Sequence, residues 1–485
     1  MSYQKFTKDV GIIGLTQLLT TLRGLIILPI ITKMLGAESY GIWAQLMVTI
    51  SLIVPPATLC LVDALARFLP AEKNRKEIQD GIWSVITLVS GVALLIALIF
   101  ISFSSPISSF FGGEKILVEI LAFIIIVECL NLVFLNVFRA FQETKKCSFF
   151  LLLTAFGETG LLGGAVFLGY GLFGAILSIL IGDLIIFLLM GGLLIKRIGV
   201  KIPNFSRTKE YLRFSLPIIP GALSWWIVQS SDKYLISFFL GALFVGYYVP
   251  AYTLGNIIYF LVGPFNFLLM PLLSKLCDED RINEVKNYLK YCLKYYLMVA
   301  IPSVFGLSIL SKQLLTIFST SEIALQSYYI VPFIALSVLL LGIYAIVVQI
   351  IVLKKKIKII GIVWMVAAFL NLGLNLIFIY KFGILGAALT TFFSYTLALI
   401  LTWYFAFKDL QFEIGWKFIL KSIFASILMT LCILRFGPIG LWQIIIAIVS
   451  GALLYGVLIF LFKGFTIKEI EFLKGLLKPL EKNRR

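Results

Sequence analysis

Apolar windows long enough to cross a bilayer recur along the whole chain. They fall at about 10–31, 42–63, 82–103, 116–138, 149–168, 171–195 and 215–237. They continue at about 246–273, 292–310, 326–349, 359–380, 383–406, 417–434 and 441–462. A helix crossing the hydrocarbon core needs about 20 predominantly apolar residues. Fourteen such windows in 485 residues leave little chain for anything else. Composition excludes the soluble alternative: 61% of residues are hydrophobic and only 13% are charged, where soluble domains carry about 25% charge. The fold class that follows is an all-α integral membrane protein with about fourteen transmembrane helices.

Basic residues orient the windows, because Lys and Arg accumulate in cytoplasmic loops. With the N-terminus inside, 34 of the 41 Lys and Arg fall in inside segments and 5 in outside loops. Arg23 and Lys233 remain, both within predicted spans. This split places both termini in the cytoplasm and the protein in the cytoplasmic membrane. It also accounts for the net charge of +17 without a nucleic-acid partner. The first window is too long for a cleavable signal and has no small-residue cleavage site. The six cysteines form no CxxC pair and read as reduced and structural.

The two halves of the chain echo each other. Leu35-Gly36-Ala37, then Gly41 and Trp43, recur as Leu240-Gly241-Ala242, then Gly246 and Tyr248. The turn Tyr170-Gly171-Leu172-Phe173-Gly174-Ala175 recurs as Phe382-Gly383-Ile384-Leu385-Gly386-Ala387, and Lys145-Lys146 recurs as Lys355-Lys356. Offsets of about 205 to 212 describe a duplicated six-span unit. Six is even, so both copies run the same way and form a parallel repeat. The expected organisation is an N-lobe over 1–195, a cytoplasmic inter-lobe loop over 196–214 and a C-lobe over 215–408. Two appended spans over 409–462 and a basic cytoplasmic tail over 463–485 complete it.

Two six-span lobes and two added spans, with an L-G-A-x-x-x-G-x-aromatic turn in each half, resemble the polysaccharide flippases. These belong to the multidrug/oligosaccharidyl-lipid/polysaccharide exporter superfamily, and the resemblance covers essentially the whole chain. It implies two lobes around a central cavity and alternating access. It also implies a substrate, an oligosaccharide linked to a polyprenyl phosphate or pyrophosphate, and a place in polysaccharide biosynthesis. The implied partners are that lipid-linked oligosaccharide, membrane lipids and the glycosyltransferases or polymerase of the same route.

Charges inside the membrane cost at least about 2.5–3.5 kcal/mol each and mark candidate sites. Arg23 lies deep in the first span, with Thr16 and Thr20 on its face at helical spacing. Its planar guanidinium suits a pyrophosphate gripped through two parallel hydrogen bonds; the competing role is an ion pair with Glu128 or Glu158. In the seventh span Trp225, Gln229 and Lys233 share a face, with Ser224 and Asp232 beside it. Stacking, amide and ammonium together suit a sugar phosphate, although Lys233 lies near the outer end, within snorkelling reach of the headgroups. Thr20, Arg23, Trp225, Gln229 and Lys233 are thus the substrate-binding candidates. Glu128, Glu158, Asp183 and Asp232 are the candidates for coupling to H⁺ or Na⁺, or else hydrogen-bond across helix interfaces.

No cofactor is implied beyond such an ion gradient. The chain has no histidine, which removes His-based acid–base catalysis and the commonest metal ligand. It has no GxxxxGK[ST] phosphate loop, and its largest outside loop, about 311–325, carries only Lys312 and Glu322 as charges. A secondary-type transporter is therefore expected rather than a membrane glycosyltransferase or polymerase. A lipid II-type precursor flippase and a cation-coupled multidrug antiporter are the alternatives.

Overall fold

A computed structural model describes residues 3–72, 74–438, 440–465 and 469. Most of the expected basic tail lies outside the described residues. Nineteen α-helices follow in order: α1 (Tyr3–Ala57), α2 (Leu61–Phe68), α3 (Arg75–Ser102), α4 (Ser104–Phe111), α5 (Lys115–Ala140), α6 (Thr144–Phe167), α7 (Gly171–Ile198), α8 (Thr208–Ser215), α9 (Ile219–Leu240), α10 (Ala242–Gly255), α11 (Val262–Asp278), α12 (Ile282–Ile309), α13 (Ser311–Phe318), α14 (Ser321–Ser327), α15 (Val331–Leu353), α16 (Ile357–Phe382), α17 (Ile384–Asp409), α18 (Trp416–Phe436) and α19 (Leu441–Leu461). No strand occurs among the described residues.

Eleven of the described helical segments are long and apolar enough to span a membrane. Three expected windows have no separate segment among them, each for a visible reason. Windows 10–31 and 42–63 run together through Gly11–Ala57, broken only at Gly36 (φ 83°, ψ 177°). Window 215–237 opens on a 3₁₀ turn at Leu216–Ile218 and continues as α9, made too polar by Gln229, Ser230, Ser231, Asp232 and Lys233. Window 246–273 is interrupted by a 3₁₀ segment at Asn256–Leu261.

The chain divides into two compact units, Met1–Thr253 with Leu315–Ile330 and Ile357–Ala398, and Leu254–Leu314 with Val331–Lys356 and Leu399–Arg485. In the first, α5 is central, packing on α3, α6 and α7, while α1 packs on α6 and α9, and α9 on α16. Leu121, Ile125, Cys129, Val133 and Val137 recur every four residues along α5, and all are fully buried. That single stripe carries the core of the unit. The segment after α7 is tied down: Trp83 donates to the Gly199 carbonyl (3.0 Å), Lys201 pairs with Asp80 (2.5 Å) and Arg207 bridges Glu72 and Glu77.

The repeat is visible in the backbone. Gly241, ending α9, adopts φ 93° and ψ 170°, matching Gly36; Gly171 (φ 60°) likewise matches Gly383 (φ 59°). Residues with a Cβ avoid this positive-φ region, which explains the glycines of the repeated turns. The second glycine of each turn has a different reason. A Cβ on Gly41 would lie 2.0 Å from the Ala242 carbonyl oxygen, and one on Gly246 would lie 1.8 Å from that of Ala37. The two motifs therefore seat against each other reciprocally, glycine of one on alanine of the other, as a two-fold relation requires. Gly246→Ala should destabilise the protein by about 1–3 kcal/mol, the usual cost of forced overpacking. Thermal unfolding in detergent measures it, and an unchanged midpoint would contradict the close seat.

In the second unit α12 packs on α11, α15, α18 and α19. The Tyr296 hydroxyl donates to the Leu339 carbonyl (3.1 Å), and its ring fills the space where Gly342 lacks a side chain. Lys290 hydrogen-bonds Glu413, and that ammonium holds the exposed carboxyl below its ordinary range. A cavity of about 560 Å³ opens between α12, α18, α19 and the 3₁₀ segment. Its walls include Leu261, Met298, Pro302, Met429, Ile433 and Ile459, all apolar.

Candidate functional site

Arg23 and the three acids of the early spans come together in the first unit. The Arg23 guanidinium (Nη2) donates to Glu158 Oε2 at 2.5 Å, from α1 to α6. The Arg23 side chain retains 24% exposure, the Glu158 side chain only 5%. Gly182 on α7 makes the room, since a Cβ there would lie 2.7 Å from Glu158 Cγ. Asp183, next along α7 and buried, hydrogen-bonds through its carboxyl to both Glu158 and Glu128. Asn131, one turn after Glu128, donates to the Asp183 backbone carbonyl at 3.0 Å. Four helices thus deliver one guanidinium and three carboxyls to one place.

Hydrogen bonding between carboxyls sets the proton count. Two ionised carboxylates cannot hydrogen-bond, because both only accept. The bonds from Asp183 to Glu128 and to Glu158 each require a proton. Two shared protons on three carboxyls would leave one negative charge, the count that the single cation Arg23 balances.

The second group lies on α9 and α10. Lys233 Nζ donates to Asp232 Oδ1 (2.9 Å) and to the Gln229 carbonyl (2.9 Å). It also sits 4.2 Å from the Tyr252 ring centroid. The Tyr248 hydroxyl donates to Asp232 Oδ2 at 2.6 Å, and the Tyr252 hydroxyl to Gln229 Oε1 at 2.9 Å. Lys233 and Asp232 are 5% and 1% exposed. The ammonium does not snorkel outward as its place in the sequence suggested; its stem folds back over its own helix. Trp225 packs edge-on against Trp364 with ring centroids 4.4 Å apart.

Beside this group, Ser231 donates to Asn371 Oδ1 (3.0 Å), Asn375 to the same oxygen (3.0 Å) and Asn371 to Ser394 Oγ (3.1 Å). This fixes α9, α16 and α17 together through polar contacts that a lipid environment does not compete for.

Of the expected substrate-binding residues, only Arg23 combines a charge with access. Thr20 is spent on its own helix, donating to the Gln17 carbonyl at 3.0 Å. The tyrosines Tyr248 and Tyr252 were not legible as site residues: Tyr248 stood out only as the aromatic of the repeated turn, and nothing in its spacing or that of Tyr252 tied either to Asp232 or Gln229.

Comparison with known proteins adds the following. The family described as Polysaccharide biosynthesis protein matches residues 6–277, and the one described as Lipid II flippase MurJ matches residues 251–463. "Probable low-salt glycan biosynthesis flippase Agl15" of Haloferax volcanii is 24% identical over 459 residues, covering 92% of this chain and 93% of that protein. "Probable flippase AglR" of the same organism is 28% identical over 236 residues, covering 46% of this chain and 48% of that one. Among solved structures, "Lipid II flippase MurJ, inward closed conformation" superposes with TM-score 0.75 at 20% identity, over 94% of this chain and 99% of that one. An inward-facing multidrug resistance MATE family transporter of the MOP superfamily superposes with TM-score 0.63 at 18% identity, over 80% and 94% of the two chains. The all-α transporter fold expected from the windows and the repeat is thereby found in known structures.

Proposed function

The chain belongs to the polysaccharide biosynthesis protein family, and on that premise we propose that it is a flippase carrying a lipid-linked oligosaccharide across the membrane. It is a multi-pass membrane transporter rather than a catalyst. The reading extends to a polyprenyl phosphate or pyrophosphate carrier, with Arg23 gripping the phosphate. The observation that carries this is the guanidinium of Arg23, which keeps access while the other intramembrane cation, Lys233, is buried in its own ion pair. A cationic anchor selects an anionic headgroup and disfavours a cationic drug. The apolar cavity of the second unit supplies surface of the kind a prenyl chain needs.

The proposed driving force needs no nucleotide. An inside-negative potential supplies about 2.3 kcal/mol per charge per 100 mV to an anion moving outward, which makes this a secondary-type transporter of the cytoplasmic membrane. Both termini are then cytoplasmic, so a cysteine introduced as Phe205→Cys stays unlabelled by impermeant reagent outside intact cells. Glycosyltransferases or a polymerase of the same route are the proposed neighbours on either face.

A second reading has its own support: the lipid II flippase match over 251–463 and the superposition on such a flippase. Thermal stabilisation of the purified protein separates the readings. A ligand at 100 times its Kd stabilises by about 2.7 kcal/mol. A polyprenyl-pyrophosphate oligosaccharide should raise the midpoint most, lipid II less because it shares only the pyrophosphate and carrier, and a cationic drug not at all. A rise with lipid II alone moves the assignment to peptidoglycan precursors; a rise with the drug alone overturns it.

A further inference from the structure

Arg23 and Lys233 lie on the repeat-related helices α1 and α9 at different depths, thirteen residues before Gly36 and eight before Gly241 respectively, and their ion pairs are built differently. Lys233 is bound to the adjacent residue of its own helix and to a backbone carbonyl, with both tyrosines around it. A ligand would have to displace all of these contacts at once to reach it. Arg23 is bound by one oxygen of a carboxylate on another helix, and its side chain remains 24% exposed. An anion arriving at Arg23 meets a single contact to displace.

Displacement has a charge consequence. Glu158 is 4% exposed, and stranding a buried carboxylate without a partner is strongly unfavourable. The groups facing Glu158 from the helices packed on α6 are Arg23 from α1, Glu128 from α5 and Asp183 from α7. The Cys129 thiol adjoins Glu128. None but Arg23 is a cation. One further observation shows where hydrogen-bonding capacity is left: the buried Asn131 Oδ1, beside the cluster, has no hydrogen-bond partner among the described residues. An additional proton on the cluster finds an acceptor already in place.

We propose that Glu158 is a displaceable counter-ion for Arg23, so that a phosphate binding at Arg23 draws one proton onto the Glu128–Asp183–Glu158 cluster. This rests on the reading of Arg23 as the headgroup ligand. The step balances in charge: the Arg23–Glu158 pair is exchanged for an Arg23–phosphate pair, and the freed carboxylate takes a proton from water. On release the phosphate leaves, the proton leaves, and Arg23 returns to Glu158, so the empty carrier is again neutral. Headgroup and proton move in the same direction. The acids then reduce by one the negative charge carried outward. They ensure that Arg23 never crosses unpaired.

Linkage gives the sign. The complex holds one more proton than the free protein, so affinity rises as pH falls, by about tenfold per pH unit. The test is titration calorimetry of the purified full-length protein with farnesyl pyrophosphate, in buffers of differing ionisation enthalpy. A pH of about 8 keeps the ligand's own phosphate, with a second ionisation near 6, deprotonated. The wild type should take up about one proton per ligand bound. Glu158→Gln should bind with none and lose the pH dependence, and Arg23→Gln should not bind. Wild-type binding without proton uptake overturns the inference and leaves the flippase reading intact. Uptake that persists unchanged in Glu158→Gln overturns it as well. Failure of the wild type to bind overturns the phosphate role of Arg23 and this inference with it.

Discussion

Arg23→Ala should fold and insert normally but lose translocation by roughly thirtyfold or more. That factor corresponds to the 2 kcal/mol or more lost when one partner of a desolvated charge pair is removed. Folding survives because the charge left behind has an outlet: Glu158 already shares hydrogen bonds with Asp183, and one proton restores neutrality to the cluster. Arg23→Lys should retain part of the rate. It keeps the charge but not the planar pair of donors that meets two phosphate oxygens at once. Translocation rates in proteoliposomes, alongside melting of the same preparations, check both variants. A wild-type rate in Arg23→Ala would make the residue a packing element.

The opposite pattern is expected at Asp232, where the effect falls on stability. Lys233 is 5% exposed and, among the described residues, takes its one carboxylate contact from Asp232; the Tyr248 hydroxyl shares the same carboxylate. Asp232→Ala leaves the ammonium buried without a counter-ion, a change that costs about 3–5 kcal/mol. The variant should melt well below the wild type or fail to accumulate. Adding Lys233→Met removes the stranded charge and should recover most of the loss, because a buried pair replaced by apolar groups is often neutral or stabilising. Melting of the two single variants and the double variant in detergent closes this cycle. Equal midpoints for Asp232→Ala and the wild type would contradict the pairing.

These two cations show what a sequence discloses in a membrane chain. Their existence and depth are plain, because any charge stands out in a run such as Thr16–Ile31. Their partners are not. Adjacent residues on a helix do not normally face each other, so Asp232 and Lys233 read as belonging to neighbouring faces. Only the folded-back lysine stem brings Nζ to its neighbour's carboxylate. Glu158 is 135 positions from Arg23, and the choice between it and Glu128 is made by how α1 and α6 cross. The bridging role of Asp183 was equally hidden, since it depends on α5, α6 and α7 meeting at Gly182.

The repeat was legible for a different reason. Positive φ combined with extended ψ, as at Gly36 and Gly241, and backbone-to-backbone contact, as at Gly41 and Gly246, favour glycine, so these four stay readable as a pattern amid interchangeable apolar residues. Span boundaries were blurred where backbone geometry departs from a simple hairpin. The Gly36 break keeps two windows within one long helical element, and the 3₁₀ stretch at Asn256–Leu261 divides another. The apolar cavity of the second unit had no signature at all, because the residues that line it are those of any lipid-facing helix.

The central claim is translocation of an anionic, lipid-linked glycan, and a leaflet-accessibility measurement tests it most directly. A fluorescent polyprenyl-pyrophosphate oligosaccharide is incorporated symmetrically into liposomes with or without the purified protein, and a membrane-impermeant quencher is added outside. In protein-free vesicles about half of the signal should remain protected, because lipid headgroups this polar do not cross a hydrocarbon core unaided. With the wild-type protein the protected half should become accessible, and with Arg23→Ala it should stay protected. Protection unchanged by the wild-type protein would contradict the account.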